Sequence, residues 1–336
     1  MNEPLRAGVI GVGAMGQHHV RVYREIPGVE LVGIADADEK QRTNLAQRHN
    51  VRGFNDYHQL FDEAKPQIVT IAVPTFLHFE VASAAIKRGI HVLIEKPIAE
   101  TEADGQALID LAAAHGVVLA VGHIERHNPA ITALKRAIAD DKLGRLFQLR
   151  AQRIGPFPAR IRDVGVVLDL ATHDIDILCH LAGGIPTRVF AETQQNIHST
   201  REDMVSALLH FPNGSTAMLE VNWLTPTKSR RLVALGARGM YEVDYITQDL
   251  TFYENSLAQE ESFLSLQLLR GVSEGRMIRE QIEKREPLRL EIEDFIGAVR
   301  ESRAPRVTGP DSLAALRIAH ALVLSGQTHQ VVETGN

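Results

Sequence analysis

The sequence predicts two domains, an α/β domain built on a parallel sheet and then an α+β domain built on a mostly antiparallel sheet. In the N-terminal third, apolar runs of strand length alternate with helical patterns, and that order is typical of a parallel sheet with helices on both faces. Between Thr187 and Tyr253, strand-like runs instead follow one another across short turns, as in successive hairpins. The length of 336 residues also favours two domains, because single hydrophobic cores stop growing near this size.

The first domain is predicted to span residues 1–123. Its strands are expected, in order, at Arg6–Ile10, Glu30–Ala35, Gln67–Val73, His91–Ile94 and Val117–Val121. Its helices are expected at Met15–Ile26, Phe76–Arg88 and Thr101–His115.

The second domain is predicted to span residues 124–336. Its first elements are expected to be a helix at Pro129–Asp140, a strand at Arg145–Arg153 and a helix at Val166–Ala182. Turn signals at Pro212-Asn213-Gly214 and at Gly236–Gly239 then separate two pairs of strands, Val205–Phe211 with Ser215–Trp223 and Arg231–Leu235 with Met240–Asp244. The polar stretch Asn255–Arg285 is interpreted as a long excursion. Helices are expected at Leu288–Arg300 and Pro310–Ser325, at the end of the chain. For the last helix, packing against the first domain is an alternative to packing within the second.

Composition and charge exclude several classes of protein. The chain is 44% hydrophobic and 23% charged, as is usual for globular proteins. Its formal net charge of −6 argues against a nucleic-acid partner, since binding phosphates needs clustered Lys and Arg. Cys179 is the single cysteine, which excludes an intrachain disulfide and fits a reducing compartment. The apolar runs are too short for a membrane span or a signal peptide, so we expect a cytoplasmic protein with no membrane partner.

A glycine-rich turn follows the first predicted strand. The segment Gly11-Val12-Gly13-Ala14-Met15-Gly16 opens directly into a helical pattern. This order of strand, G-x-G-x-x-G and helix is typical of a dinucleotide site in a Rossmann domain. Gly11 allows the tight turn, Gly13 lets the backbone approach a pyrophosphate, and Gly16 lets the helix pack closely on the strand.

Asp36 directly follows the second predicted strand, twenty residues after the last glycine of the turn. A carboxylate at this place accepts hydrogen bonds from a ribose diol and repels a 2′-phosphate. The predicted cofactor is therefore NAD, with NADP as the alternative because Lys40 and Arg42 are close enough in sequence to soften that repulsion.

Two further strands of the first domain end in polar residues. Pro74, Thr75 and His78 follow one strand, and Glu95 and Lys96 follow the next. The carboxyl ends of parallel strands face the ligand crevice of an open sheet. We therefore assign all five residues to cofactor binding, and Lys96 is also placed beside a substrate hydroxyl. The competing interpretation is a surface lysine in an ordinary turn.

In the second domain, Asp169 and His173 are four residues apart within one predicted helix and so share a face. A carboxylate beside an imidazole orients the ring and favours its protonated form, which suits a general base near neutral pH. A satisfied ion pair on a helix surface is the alternative. A metal site is the other competing idea, because His173, Asp176 and His180 recur at helical spacing, but nothing convincingly completes the ligand set and no metal is predicted.

These motifs together resemble the Gfo/Idh/MocA family of NAD(P)-dependent oxidoreductases. The matching landmarks, in order, are Gly11–Gly16, Pro74-Thr75 with His78, Glu95-Lys96-Pro97, Gly122-His123 with Arg126 and Asn128-Pro129, and Asp169-x-x-x-His173-Asp174. The resemblance implies that Lys96, Asp169 and His173 form a catalytic set that oxidises a hydroxyl of a sugar or polyol ring. It also implies that a large open sheet in the second domain joins subunits into a homodimer or homotetramer.

Within the family, the segments 122–129 and 153–163 look most like enzymes that oxidise the ring 3-hydroxyl of UDP-N-acetylglucosamine. His123, Asn128, Arg153, Arg160 and Arg162 are therefore assigned to substrate binding together with Lys96, Asp169 and His173. The arginines are assigned to the diphosphate, because a guanidinium donates two parallel hydrogen bonds to phosphate oxygens. A basic loop at a subunit interface is the competing interpretation of the arginines. Two other functions stay open, a free sugar or polyol dehydrogenase such as an inositol 2-dehydrogenase, and a non-catalytic dinucleotide sensor.

Overall fold

A computed structural model of the chain describes residues 3–157, 164–197, 200–256 and 273–335. The described chain divides into two compact units. The first unit contains Met1–His127 and Glu286–Leu316, and the second contains Asn128–Arg285 and Arg317–Asn336. The first unit thus continues slightly past the predicted boundary at residue 123 and also takes in a segment near the end of the chain.

The first unit is built on a six-stranded parallel sheet with the strand order β3-β2-β1-β4-β5-β6. The strands are β1 (Leu5–Ile10), β2 (Val29–Ala35), β3 (Gly53–Phe54), β4 (Ile68–Ile71), β5 (His91–Glu95) and β6 (Leu119–Gly122). The order reverses between β1 and β4, and this switch point is where doubly wound sheets bind their ligands. The predicted α/β fold class of this part is confirmed.

Five helices of the first unit precede or connect these strands along the chain. They are α1 (Gly16–Glu25), α2 (Glu39–His49), α3 (Tyr57–Gln59), α4 (His78–Ile86) and α5 (Glu102–His115). Helix α2 was not predicted, because Leu45 is its one buried residue and it therefore lacks an apolar stripe. Its start is nevertheless capped, since the carboxylate of Asp38 accepts a hydrogen bond from the N–H of Gln41.

The second unit is built on a nine-stranded sheet with the order β14-β13-β12-β11-β7-β10-β9-β8-β15. The strands are β7 (Leu146–Ile154), β8 (Arg188–Gln194), β9 (Met204–His210), β10 (Thr216–Asn222), β11 (Ser229–Gly236), β12 (Gly239–Asp244), β13 (Asp249–Ser256), β14 (Ser273–Arg279) and β15 (Val332–Glu333). All pairs are antiparallel except β7 with β10, so the predicted mostly antiparallel sheet is confirmed.

Both predicted hairpins are present in this sheet. Strands β9 and β10 pair across the turn that contains Gly214, whose φ of +82° explains the glycine. Strands β11 and β12 pair from Gly236 opposite Gly239 outward. The interpretation of Asn255–Arg285 as an excursion was wrong at 255–256, where β13 continues, and at Ser273–Arg279, where β14 forms the sheet edge. Residues 257–272 lie outside the described residues. The sequence of β14 is mostly polar or small, as is tolerated in an edge strand, and it gives little alternation to detect.

Among the described residues, helices cover one face of this sheet and leave the other open. In the second unit, helices α6 (Pro129–Ala139) and α7 (Thr172–Ala182) come before β8 in the chain. Helix α6 contacts β12 and β13, and α7 contacts β7. Alternate residues such as Leu149 and Leu219 are buried, whereas Leu208 and Met218 are about half exposed at 52% and 44%.

Two helices close the chain, α8 (Pro287–Glu301) and α9 (Gly309–Thr328). The apolar residues of α8 belong to the hydrophobic core of the first unit, where Leu288, Ile292 and Phe295 lie with Val20 and Tyr23 of α1. The division between the units falls inside α9, after Leu316. None of the described helices is both long enough and apolar enough to cross a membrane.

Candidate active site

The turn between β1 and α1 carries the predicted glycines, and two of them are required by the local backbone. Gly11 has a φ of +81°, and a Cβ there would lie 2.5 Å from the carbonyl oxygen of Ala72. A Cβ on Gly16 would lie 1.8 Å from the carbonyl oxygen of Gly11. Gly13 differs, because a Cβ there would meet no atom within 4 Å. The turn is therefore tight at both ends and open at Gly13, where a pyrophosphate needs room.

The start of α1 is suited to bind an anion. Ala14 and Met15 are exposed, and α1 begins directly after them at Gly16. The first N–H groups of a helix lack intrahelical partners and carry partial positive charge. The open space at Gly13 lies in this same turn. These residues fit the phosphates of a dinucleotide.

Asp36 directly follows β2, and its carboxylate holds the glycine turn. Oδ2 accepts a hydrogen bond from the N–H of Val12 at 2.6 Å, and Oδ1 accepts one from the N–H of Asp38 at 2.8 Å. The guanidinium of Arg42 donates to the carbonyl oxygen of Asp36 at 2.6 Å. Asp36 is thus placed beside the predicted phosphate-binding turn, as an acceptor for a ribose diol must be, and a cation lies next to it.

The neighbouring strands β4 and β5 are parallel, so their carboxyl ends lie at the same edge of the sheet. Pro74 and Thr75 open the short helical turn that follows β4. Glu95 is the last residue of β5, and Lys96 follows it. The structure therefore brings these four predicted residues to one edge of the first unit.

His78 connects the two strand ends from a buried position, with a relative exposure of 1%. Its Nδ1 lies 2.8 Å from the carbonyl oxygen of Pro97, and its Nε2 lies 3.0 Å from the carbonyl oxygen of Val73. Burial lowers the pKa of His78 below its ordinary value, although the two carbonyl contacts act in the opposite direction. A neutral ring donates to one of these oxygens and so links the two turns. Its predicted contact with a cofactor stays a prediction.

Glu95 belongs to a buried cluster that also contains His19 of α1 and Glu291 of α8. One atom of each side chain lies within 4.8 Å of the other two, and His19 Nε2 is 2.8 Å from Glu95 Oε1. Although burial acts to raise it, the hydrogen bond and charge of His19 hold the pKa of Glu95 below its ordinary value. Burial raises the pKa of Glu291 well above its ordinary value, and the charge of Glu95 adds to this effect.

In the second unit, Asp169 lies in the π-helical turn Val167–Ala171 and His173 lies in the first turn of α7. Both residues are half-buried. The predicted single helix is thus divided, and Asp169 precedes α7 instead of lying within it. The two residues lie in consecutive helical turns, and their catalytic assignment stays a prediction.

Arg153 is placed differently from its prediction as a phosphate ligand. It is 2% exposed, and its guanidinium donates to both carboxylate oxygens of Asp174, from Nε at 2.5 Å and from Nη2 at 3.2 Å. The guanidinium carbon also lies 5.3 Å from the centroid of the Tyr245 ring. A diphosphate would have to displace a buried carboxylate, which is costly, so we leave Arg153 out of the proposed site. Arg160 and Arg162 lie outside the described residues.

The two other predicted substrate residues are buried and hydrogen-bonded. His123 Nε2 lies 2.9 Å from the hydroxyl oxygen of Ser312. Asn128 caps α6 by accepting a hydrogen bond from the N–H of Ala130, and its amide donates to the carbonyl oxygen of Tyr245 at 3.0 Å. These contacts explain why both side chains are buried, and their contact with a substrate stays a prediction.

The sequence interpretation missed His19 and Glu291. His19 follows Gly16 by one helical turn and faces the sheet, yet a histidine in an amphipathic helix gives no distinct signal. Glu291 did carry a signal, because it lies on the apolar face of α8 beside Leu288, Ile292 and Phe295, where a carboxylate is unexpected. Their contact with Glu95 could not be predicted, since it joins residues far apart in the chain.

The fold and this set of residues define an oxidoreductase that uses a nicotinamide dinucleotide. The chain belongs to the GFO/IDH/MocA family: the model of its oxidoreductase domain with the NAD-binding Rossmann fold matches residues 5–123, and the model of its C-terminal domain matches residues 131–242. The resemblance predicted from the motifs is therefore confirmed, and so are the NAD-binding domain and the enzyme class.

Known relatives agree with this assignment along most of the chain. UDP-N-acetylglucosamine 3-dehydrogenase of Acidithiobacillus ferrooxidans is 32% identical over 89% of this chain and 90% of its own length. A solved structure of that enzyme superposes with a TM-score of 0.86 at 30% identity, over 98% of this chain and 99% of the other. Myo-inositol 2-dehydrogenase of Thermotoga maritima is 26% identical over 94% of this chain and 95% of its own length.

Proposed function

We propose that the protein oxidises a ring hydroxyl of a sugar nucleotide, with UDP-N-acetylglucosamine as the leading substrate and its 3-hydroxyl as the reacting group. The observation that carries this proposal is the likeness to the Acidithiobacillus enzyme, which extends over both domains in sequence and in structure. The open glycine turn and Asp36 support NAD as the electron acceptor.

In the proposed reaction, NAD⁺ supplies the hydride acceptor at nicotinamide C4. The imidazole of His173 accepts the hydroxyl proton while the hydrogen on the same carbon leaves as hydride, so the alcohol becomes a ketone. The ammonium of Lys96 donates a hydrogen bond to the reacting oxygen and stabilises its developing negative charge. Asp169 orients the imidazole. The reaction yields the ketone, NADH and one proton, which His173 passes to solvent.

A second candidate is the oxidation of a free polyol by the same chemistry. The observation that favours it is the similarity to myo-inositol 2-dehydrogenase over nearly the full length of both chains. The buried position of Arg153 also removes one of the three arginines that were predicted to bind a diphosphate.

Calorimetric titration of NAD-loaded protein with UDP-N-acetylglucosamine and with myo-inositol, together with NADH formation, separates the two. We expect binding and turnover with the sugar nucleotide. Binding of inositol without binding of UDP-N-acetylglucosamine would replace the leading proposal by the second.

His173→Ala tests the assignment of the general base. We expect kcat to fall by about a hundredfold or more, as is typical when a general base is removed. Cys179→Ala, on the same helix, is the matched control and should leave kcat unchanged. Turnover of His173→Ala at the wild-type rate would contradict the role of His173 as general base. If that turnover still required NAD⁺, the proposed reaction would stand and another residue would have to be the base.

We also propose that the open face of the nine-stranded sheet joins subunits. Phe190, Leu208 and Met218 lie directly opposite one another on β8, β9 and β10, and form an apolar row on that face. An apolar row of this kind commonly marks a protein interface. The single cysteine, Cys179, supports the proposal of a reducing, cytoplasmic location.

A further inference from the structure

The buried cluster of His19, Glu95 and Glu291, which we call the carboxylate cluster, contains two carboxyl groups and one imidazole, and the imidazole is bonded to Glu95. His19 Nε2 lies 2.8 Å from Glu95 Oε1, and the side chains of these residues are 0% and 13% exposed. Glu291 is 3% exposed, and neither of its carboxylate oxygens has a hydrogen-bond partner in the part of the chain that the structure describes. An ionised carboxylate that is buried and unpaired is among the most costly groups in a protein.

Among the described residues, the charges that act most on Glu291 are negative. Its own helix contributes Asp294, and β5 contributes Glu95, and both of these carboxylates act to keep Glu291 neutral. Helix α1 contributes His19, which is bonded to Glu95, and Tyr23, whose hydroxyl is hydrogen-bonded to Thr70. Helix α8 also packs against the short turn 124–127, whose charged and titratable residues are Glu125, Arg126 and His127.

We propose that Glu291 holds a proton in the working enzyme and acts as a positioning residue, leaving Glu95 as the single negative charge that His19 and Lys96 share. Lys96 follows Glu95 directly, and its charge acts on the Glu95 carboxylate. A second negative charge within 4.8 Å would compete with Glu95 for His19 and would draw the Lys96 ammonium toward the cluster. A neutral Glu291 therefore keeps the end of β5 in one arrangement and does not draw Lys96 away from the reacting oxygen. This inference rests on the proposed function of Lys96.

A divalent cation bound by the same three side chains is the competing occupant. With Glu95 ionised, the 2.8 Å contact is a hydrogen bond donated by His19 Nε2, and this leaves no lone pair on that nitrogen for a cation. The observed contact therefore favours a proton over a metal.

Infrared spectroscopy of the purified full-length protein, without substrate, tests whether the Glu291 carboxyl group is protonated. We expect, at neutral pH, a carbonyl band of a protonated carboxylic acid that shifts in D₂O and is missing from Glu291→Gln. Glu293→Gln, two residues along the same helix and paired on the surface with Arg289, is the matched control and should keep the band. Absence of the band from the wild type, or a stoichiometric divalent metal by elemental analysis, would overturn the proposal.

Steady-state kinetics then test whether Glu291 positions Glu95 and Lys96. Glu291→Gln, which keeps a neutral hydrogen-bond donor, should retain kcat within about threefold, whereas the apolar Glu291→Leu should lose about tenfold or more in kcat with little change in the KM for NAD. A purely structural role predicts instead that Leu, which fits an apolar core, is tolerated at least as well as Gln, and that result would overturn positioning. If the proposed function is wrong, no variant and not even the wild type turns over the substrate, while the infrared result is unaffected.

Discussion

At the scale of single residues, Gly13 and Gly16 belong to one turn but have different surroundings, and this separates folding from cofactor binding. A Cβ at Gly16 collides with the backbone of Gly11, whereas a Cβ at Gly13 enters open space. The sequence predicted both glycines from one motif. The motif alone could not say which of them the fold itself requires, because that depends on the path of the backbone.

The matched variants Gly16→Ala and Gly13→Ala follow from this contrast. We expect Gly16→Ala to destabilise the protein by about 1–3 kcal/mol or more, as overpacking commonly does. We expect Gly13→Ala to keep the wild-type Tm but to weaken NAD binding, since the methyl group occupies the space that the pyrophosphate needs. Thermal unfolding and NAD titration measure the two effects. Equal losses of Tm in both variants would contradict the assignment of the open space to the cofactor.

Glu291 also gives a pH dependence of stability whose sign is fixed. Burial, and then the charge of Glu95, raise the pKa of Glu291 in the folded chain. Its contribution to stability is thus complete below the pKa of the unfolded chain, about 4.3, and is lost as the pH rises, by about 1.4 kcal/mol per pH unit, until the folded pKa is reached.

Urea denaturation of the wild type and Glu291→Gln at several pH values measures this contribution. We expect the wild type to lose stability relative to Glu291→Gln as the pH rises from about 5 to about 8, because folding of the wild type takes up a proton over that range. A difference between the two proteins that stays constant with pH would show that Glu291 is ionised in the folded state.

At the scale of elements, helix α8 belongs to the first unit although it is far in sequence from the other elements of that unit. It lies more than 150 residues after β6 in the chain, yet Leu288, Ile292 and Phe295 belong to the same core as Val20 and Tyr23. The helix itself was predicted from its apolar period. Its location was predicted in the second domain, whereas the structure places it in the first unit. The apolar stripe could not decide this, because burial against any apolar surface would satisfy it.

Phe295→Ala tests the contribution of α8 to the first unit. Phe295 is 1% exposed, so its truncation leaves a cavity, and we expect a loss of about 3–5 kcal/mol in unfolding free energy. NAD binding should weaken together with stability, because the helix packs within the NAD-binding unit. Glu301→Ala, at the exposed end of the same helix, is the control and should change stability by less than about 0.5 kcal/mol. Unchanged stability of Phe295→Ala would contradict the observed core.

Elsewhere, the elements with strong periodicity were predicted and the polar ones were not. The hairpin of β9 and β10 combines alternating burial with a glycine turn, and both signals are visible in sequence. Helix α2 and strand β14 lack an apolar pattern, and their structure depends on capping and on pairing with a neighbour. The π-helical turn before α7 gave no sequence signal, since its residues are those of an ordinary buried helix.

At the scale of the whole molecule, the NAD-binding residues belong to one domain, and the proposed general base and subunit contact belong to the other. In the cofactor domain, the glycine turn and the polar strand ends were predicted because their patterns are local, whereas β3, α2 and α3 were not predicted. The residues that bind the substrate were harder to predict, since Arg153 is a buried partner of Asp174 and the side chains that would recognise a nucleotide have no comparable motif.

The proposed subunit contact predicts a change of mass. We expect the wild type to run as a dimer or tetramer in light scattering after gel filtration, and Leu208→Glu with Met218→Glu to reduce that mass, because two charges would be buried unpaired in an apolar interface. Ile246→Glu places a charge on an exposed apolar residue in the turn before β13 and should keep the wild-type mass. A monomeric wild type, or an unchanged mass of the double variant, would contradict this use of the open face.

The measurement closest to the central claim follows the transferred hydrogen. The protein is incubated with NAD⁺ and UDP-N-acetylglucosamine carrying deuterium at ring carbon 3, and the nicotinamide product is analysed by mass spectrometry. We predict NADH that carries one deuterium, together with a 3-keto sugar nucleotide. Formation of NADH without deuterium would contradict oxidation at that carbon, and absence of any NADH from this substrate would contradict the proposed function as a whole.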